Sequence, residues 1–337
     1  MKLYCGIDLH SNNHYVSIVD QDNNRLKEKR ISNDLAKSLQ LLEPYRDDLQ
    51  GIAIESTFNW YWLVDGLMDA GYSVSLVNTC AVKQYEGLKH TDDQYDAYWL
   101  AHLMLLGILP TGFIYPKEQR CLRDLFRKRM QLVQCRTSHV ISAQAQYWRS
   151  TGIRLSCQDI KKQPDDLLSN IKDKNLLLSI ESNLNVIQLL NTQIQTIEDT
   201  VLPQCKKLQE YKYLTSVYGI GEILSQTIAL ETGDITRFRK VGNYASYCRC
   251  VDSKKTSNGK KKGSGNKKSG NKYLSWAFME AANFAIRFYE PANRFYKRKL
   301  SKSNCTLARK ALAHKLSRAS YYVMRDHAAF KPELLFK

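Results

Sequence analysis

The chain has 337 residues, 43% apolar and 25% charged, which allows two or three domains with real cores and excludes a disordered or fibrous chain. Fifty Lys and Arg against 33 Asp and Glu leave a net charge of +17, a surplus that points to a polyanionic partner. There is no secretory leader pattern, no apolar run long enough for a bilayer, no cysteine framework, and only a lone Cys248-x-Cys250; the expectation is a cytoplasmic protein with reduced thiols, no zinc and no membrane.

Leu3-Tyr4-Cys5-Gly6-Ile7-Asp8 reads as a buried strand, residues 15–19 as a second and residues 25–31 as the third of a meander. Residues 35–42 have helical period. Gly51-Ile52-Ala53-Ile54-Glu55 is a further apolar strand, followed by a helix over 60–70 closed by Gly71. A strand over 72–77 and a helix over 94–106, closed by Gly107, complete the segment. Three strands and then helix, strand, helix, strand, helix is the order of an RNase H-like mixed sheet. Pro110 and Pro116 bracket a linker, and residues 117–203 are helical throughout. In their second half, Leu176, Ile180, Asn183, Ile187, Leu190, Ile194, Ile197 and Val201 form a heptad seam with one polar position. That seam predicts a dimerising coiled coil, a hairpin with the Arg-rich stretch 122–148, or both. From Tyr211, a Gly219-Ile220-Gly221 turn leads into an amphipathic helix through Glu231. A Gly/Ser/Asn/Lys-rich stretch covers 252–271, and helices then run from Tyr273 to about His327 with a break at Pro291.

Four carboxylates stand out. Asp8 lies inside an apolar strand, where an unpaired charge is costly, and Glu55 ends a later strand in the same way. Asp93 and Asp96 open a helix on one face; the helix dipole alone would also favour them there, and Asp92 competes with Asp93 for the role. In an RNase H-like sheet all four would converge on one edge, and oxygen ligands of this kind suit Mg²⁺ or Mn²⁺.

The stretch around residues 237–275 is rich in cations, including Lys254, Lys255, Lys260, Lys261, Lys262, Lys267, Lys268 and Lys272, against the single acid Asp252. By composition it is first a flexible loop that binds nucleic acid. Within it, Thr256-Ser257-Asn258-Gly259 offers a hydroxyl among cations, a candidate nucleophile with Ser253, Ser264 and Ser269 as competitors. Upstream, Gly219 and Gly221 suggest a helix-hairpin-helix turn whose backbone amides meet DNA phosphate, or else a simple connector.

Gly6-Ile7-Asp8, Ile54-Glu55-Ser56-Thr57, Asp93-Gln94-Tyr95-Asp96-Ala97 with Trp99-Leu100-Ala101, Phe113-Ile114-Tyr115-Pro116, Gly219-Ile220-Gly221 and Ser269-Gly270-Asn271-Lys272-Tyr273-Leu274 follow one another in a known order. In these motifs the chain resembles the DEDD transposases of bacterial insertion sequences, the insertion-sequence one-ten family with its one-one-one-one group. The resemblance covers nearly the whole chain. It implies a RuvC-like catalytic domain over 1–115, a helical coiled-coil domain over 116–205, and a mainly α-helical transposase domain over 206–337. It implies that Asp8, Glu55, Asp93 and Asp96 hold Mg²⁺ while Ser257 forms a 5′-phosphoserine link. It further implies target and donor DNA, a structured guide RNA, and dimers assembling to a tetramer in the bacterial nucleoid. Tyr218 stands where the family has proline, which should loosen that turn, and Asn258 where it has glycine. A DNA invertase of the same superfamily, a Holliday-junction resolvase-like nuclease without the serine step, and a nucleic-acid-binding protein without activity are the alternatives.

Overall fold

The computed structural model describes residues 1–82, 92–162, 168–169, 171–251, 255–263 and 269–336. Within them the chain divides into two compact units, Met1–Lys117 and Glu118–Lys337.

The first unit is built on a five-stranded sheet. Its strands are β1 (Leu3–Leu9), β2 (Asn13–Asp20), β3 (Arg25–Ser32), β4 (Leu49–Glu55) and β5 (Val74–Val77), in the order β3-β2-β1-β4-β5. The β1–β2 and β2–β3 pairs are antiparallel, whereas β1–β4 and β4–β5 are parallel. Helices α1 (Leu35–Leu42) and α2 (Tyr61–Asp69) supply crossovers, α3 (Thr79–Val82) follows β5, and α4 (Asp93–Leu105) packs on β1 and β2. Strand alternation decides which side chains go where. Cys5, Ile7, Leu9, Ile52 and Ile54 join Leu42, Leu63 and Leu67 in one core layer. Their neighbours face the other way, where Ala53 packs with Leu100 and Leu103 of α4. Gly6 lies on that second side with its backbone against α4: a Cβ there would come within 2.0 Å of the Ala97 carbonyl oxygen. The small residues Gly6 and Ala97 therefore let the helix lie directly on the strand.

Among its described residues, the second unit is helical apart from one two-stranded ribbon. It contains α5 (Lys117–Thr151, opening at the boundary), α6 (Cys157–Lys162), α7 (Lys174–Cys205), α8 (Gln209–Leu214), α9 (Glu222–Thr232) and α10 (Val241–Tyr247). The ribbon β6 (Lys255–Ser257) and β7 (Lys260–Gly263) follows, then α11 (Lys272–Phe288), α12 (Glu290–Leu300) and α13 (Cys305–Arg325). The α5 and α7 helices run antiparallel. Arg129 meets Glu198, Arg136 donates to Asn191 at 2.7 Å, and Gln146 donates to Ser179 at 3.0 Å, so one index rises as the other falls. Asn183, the polar seam position, accepts through Oδ1 from His139 Nδ1 across the same hairpin at 2.9 Å. Ile180 and Ile187 are buried with Val140, Ala143 and Tyr147, while Ile197 and Val201 are buried with Phe126. The seam is thus covered within the chain, which is the hairpin arrangement.

Two boundaries differ from the sequence expectation. The helix break falls at Tyr289, whose extended backbone (φ −131°, ψ 105°) ends α11 and starts α12, and Pro291 sits in the first turn of α12. Proline lacks only an amide that the first turn leaves unpaired, so it begins a helix rather than breaking one. A second interruption at residues 301–304 precedes α13, which Asn304 caps by accepting from the Leu307 amide at 2.9 Å. The stretch expected as a plain flexible loop contains the β6–β7 ribbon. Asn258 (φ 49°) and Gly259 (φ 71°) occupy left-handed backbone between its strands, the geometry of a two-residue hairpin turn. Among the described residues, no helix is long and apolar enough to cross a membrane.

Candidate metal centre and serine-bearing ribbon

The acidic site grows from the strand alternation of the first unit. Gly6 pairs with Ala53 and Ile7 with Ile54, so β1 and β4 carry Asp8 and Glu55 to adjoining ends on the α4 side. Asp92 caps α4 by accepting from the Tyr95 amide at 2.8 Å, which sets Asp93 as the first residue of that helix. The competitor Asp92 is therefore occupied as a cap.

Asp8 is buried, at 3% exposure, while Glu55 and Asp93 are half-buried and Asp96 is exposed. Burial pushes the Asp8 carboxyl up to about 8, helped by a hydrogen bond with Glu55 and by the negative charges of Glu55, Asp96 and Asp93. The other three acids thus all act on the buried Asp8 carboxyl. A proton held this high is the response of a carboxylate cluster lacking enough positive charge, and the donor set fits a divalent cation.

One residue of this centre was not singled out in the sequence. His10 places Nε2 3.1 Å from Asp8 Oδ2 and 3.1 Å from Asp93 Oδ1. Donor atoms of Asp8, His10 and Asp93 all lie within 4.8 Å of one another. The nitrogen is enclosed yet makes no well-aligned hydrogen bond. The His10 carbonyl accepts from Asn33 at 2.9 Å and Asn59 at 3.0 Å, which fixes the strand end. The available signal was the spacing Asp8-x-His10, which puts both on one side of an extended chain. Arg30 stands 3.9 Å from Asp93.

Within the second unit, Ser257 is exposed at the last position of β6 and pairs with Lys260 across the turn. Lys260 and Lys262 are exposed on β7, and Lys272 is the exposed first residue of α11. Lys255 and Lys261 fall in the ribbon. Lys254, Lys267 and Lys268, with Ser253 and Ser264, lie outside the described residues. The base of the stretch is tied shut. Asn271 donates its amide to Tyr247 O at 2.7 Å, and Arg249 donates to Gly270 O at 2.7 and 3.0 Å. Asn271 also caps α11 and donates to the buried Glu231 at 2.7 Å, which holds Arg127 of α5 through two bonds of 2.6 and 2.7 Å. Gly219 and Gly221 differ in kind. Gly219 (φ 89°) needs its missing side chain, because a Cβ would lie 2.3 Å from the Ala281 carbonyl of α11. Gly221 opens α9 with free space around its Cα, and no side chain caps that helix. Tyr218 does not leave the turn loose: its ring stacks on Tyr289 at 4.1 Å.

A mixed β3-β2-β1-β4-β5 sheet with acids at the ends of β1 and β4 and the start of α4 fits a DEDD transposase. Residues 5–146 match the DEDD transposase model of the IS110 group, and residues 211–297 match that of the transposase IS116/IS110/IS902 family. Together these cover about two thirds of the chain, which belongs to the IS110 family of transposases. No curated protein matches it. The chain is accordingly a DNA transposase whose substrate is DNA.

Proposed function

We propose that this transposase cuts and rejoins DNA at a composite site, with Asp8, Glu55, Asp93 and Asp96 holding Mg²⁺ or Mn²⁺ and Ser257 as nucleophile. The observation that supports the metal half is the buried Asp8, its carboxyl raised to about 8 by burial first and then by three neighbouring acids. A bound divalent cation supplies the charge that lets these carboxylates ionise together and polarises the scissile phosphate. Asp8 then gives up its proton, and His10 offers a nitrogen donor beside it. For the serine half, support comes from the turn. Asn258 and Gly259 hold Ser257 exposed at the end of a strand whose partner carries Lys260 and Lys262. Ser257 Oγ attacks phosphorus, the bond to the 3′ oxygen breaks, and the serine proton ends on the released 3′-hydroxyl. The lysines stabilise the charge that develops on the phosphoryl oxygens.

On this reading residues 1–115 form a RuvC-like catalytic domain, 116–205 a helical arm and 206–337 the serine-bearing domain with a helix-hairpin-helix element. Dimers pair into a tetramer in which one subunit's acids meet another's serine, and a structured guide RNA selects target and donor DNA. The basic surplus of the chain suits such a load. A resolvase-like nuclease is the second reading, favoured by the confinement of Asp8, His10 and Asp93 to the first unit.

The test is denaturing electrophoresis of labelled DNA with protein, Mg²⁺ and RNA transcribed from the flanking element. Wild type is expected to give a protein–DNA adduct. Ser257→Ala and Asp8→Asn should each lose it by more than about 100-fold while still binding DNA. Cleavage without any adduct would establish the nuclease reading instead.

A further inference from the structure

The basic stretch around residues 237–275 is not alone in its cationic character. From Pro291 to Arg325 the chain contains no Asp or Glu. In the structure this segment folds its cations together. Arg298 and Lys299 of α12 and Lys315 of α13 all stand around the Phe295 ring, at 5.7, 5.7 and 5.6 Å from its centroid. Arg318, one turn along α13, adds its charge to the same group, and together Arg318, Arg298 and Lys299 oppose the Lys315 ammonium. No carboxylate pairs with these four among the described residues. Like charges crowded this closely are costly unless an anion shares them.

Lys315 and Arg318 also line an open cavity of about 520 Å³ together with Lys331, Tyr322 and Phe330. That volume lies within the range of small-ligand pockets, roughly 300–1,000 Å³. Tyr322 is 40% exposed. The one acid on the wall, Asp326, is neutralised by Arg325 through bonds of 2.6 and 3.0 Å. A volume of about 520 Å³ is of the size of one nucleotide, not of a duplex.

We propose that the α12–α13 cluster is a single-strand binding site, in which Lys315, Arg318 and Lys331 grip a phosphate, an unpaired base enters the cavity against Tyr322, and Arg298 and Lys299 take the next phosphate. Stacking on an aromatic ring beside a cationic track is the general means of holding unpaired nucleic acid. None of its residues belongs to the proposed metal or serine site, so its failure would leave the proposed chemistry untouched.

The experiment is fluorescence anisotropy of the full-length protein with a labelled strand of about 10 nucleotides, as DNA and as RNA, and with a duplex of equal length. Arg298→Gln/Arg318→Gln should weaken single-strand binding at least about fivefold and lower the salt slope by about 1.4. Lys206→Gln/Lys207→Gln, an exposed basic pair elsewhere, is the control for net charge. Tyr322→Ala should weaken single strands at least about fivefold with the salt slope unchanged, and leave the duplex within about twofold. Whichever of DNA and RNA loses more is the occupant. Single-strand binding by the cluster variant equal to that of the control pair would overturn the proposal, as would equal losses for strand and duplex in Tyr322→Ala.

Discussion

Asp8 holds its proton to about pH 8, because burial and then the neighbouring Glu55, Asp96 and Asp93 disfavour its charge. An unfolded aspartate titrates near about 4. Between these values the folded chain binds more protons than the unfolded one, so stability is greatest below the lower value and falls as pH rises towards the upper one. Melting in EDTA is expected to show a Tm that declines from about pH 5 to about pH 8, and a flatter profile for Asp8→Asn. Divalent cation should raise Tm more at the alkaline end, where no proton must be displaced; a cation effect greater at acid pH would contradict the assignment. His10 sharpens the expectation about which cation. Nitrogen donors favour Mn²⁺ over Mg²⁺, so calorimetry on His10→Ala should show a loss of Mn²⁺ affinity larger than its loss for Mg²⁺. At this scale the sequence made Asp8 conspicuous as a charge in an apolar strand. It left Asp92 and Asp93 unresolved, because helix capping is settled by backbone geometry one residue at a time. His10 went unnoticed because a lone histidine after a strand carries no signal until its neighbours are known.

Among elements, the sheet of the first unit was legible because alternation and turn residues repeat over several strands and the parallel crossover limits the topologies. The close seating of α4 on β1 was not, since nothing in Gly6 taken alone tells which helix will lie on it. Gly6→Ala would force a methyl against the Ala97 carbonyl. It should cost about 1–3 kcal/mol and shift the acids apart, seen as a lowered Tm together with weaker metal binding. The β6–β7 ribbon was written in the sequence as Asn258-Gly259, a strong two-residue hairpin signal, yet the density of lysines on both sides reads as solvated coil. The seam of α7 announced a partner helix without telling whether that partner was in the same chain. The contacts of Asn183 with His139 answer it for this chain.

At the level of the second unit, one ion pair holds distant parts together. Glu231 on α9 receives Arg127 from α5 and Asn271 from the foot of the serine-bearing stretch. Glu231→Ala would leave Arg127 with Asp124 alone, 3.6 Å away, and Asn271 without its carboxylate acceptor, and a loss of about 1–3 kcal/mol in unfolding free energy is expected from chemical denaturation. None of these partners is near another in sequence, which is why no local pattern revealed them. The whole-chain charge of +17 pointed correctly to a polyanion, but a net charge carries no address. Folding gives it one, concentrating cations on the ribbon and again between α12 and α13.

The turn that presents Ser257 also sets a limit on the life of the enzyme. Asn258 is followed by a glycine in an exposed turn, the pairing in which a backbone nitrogen most readily attacks the side-chain amide and expels ammonia. As the protein ages at alkaline pH, the succinimide formed there would open to aspartate or isoaspartate. Either product sets a new negative charge beside the proposed nucleophile, and isoaspartate also lengthens the backbone of the hairpin. Stored preparations should therefore lose adduct-forming activity in step with deamidation of the peptide containing Asn258, and Asn258→Gly should keep that activity through storage.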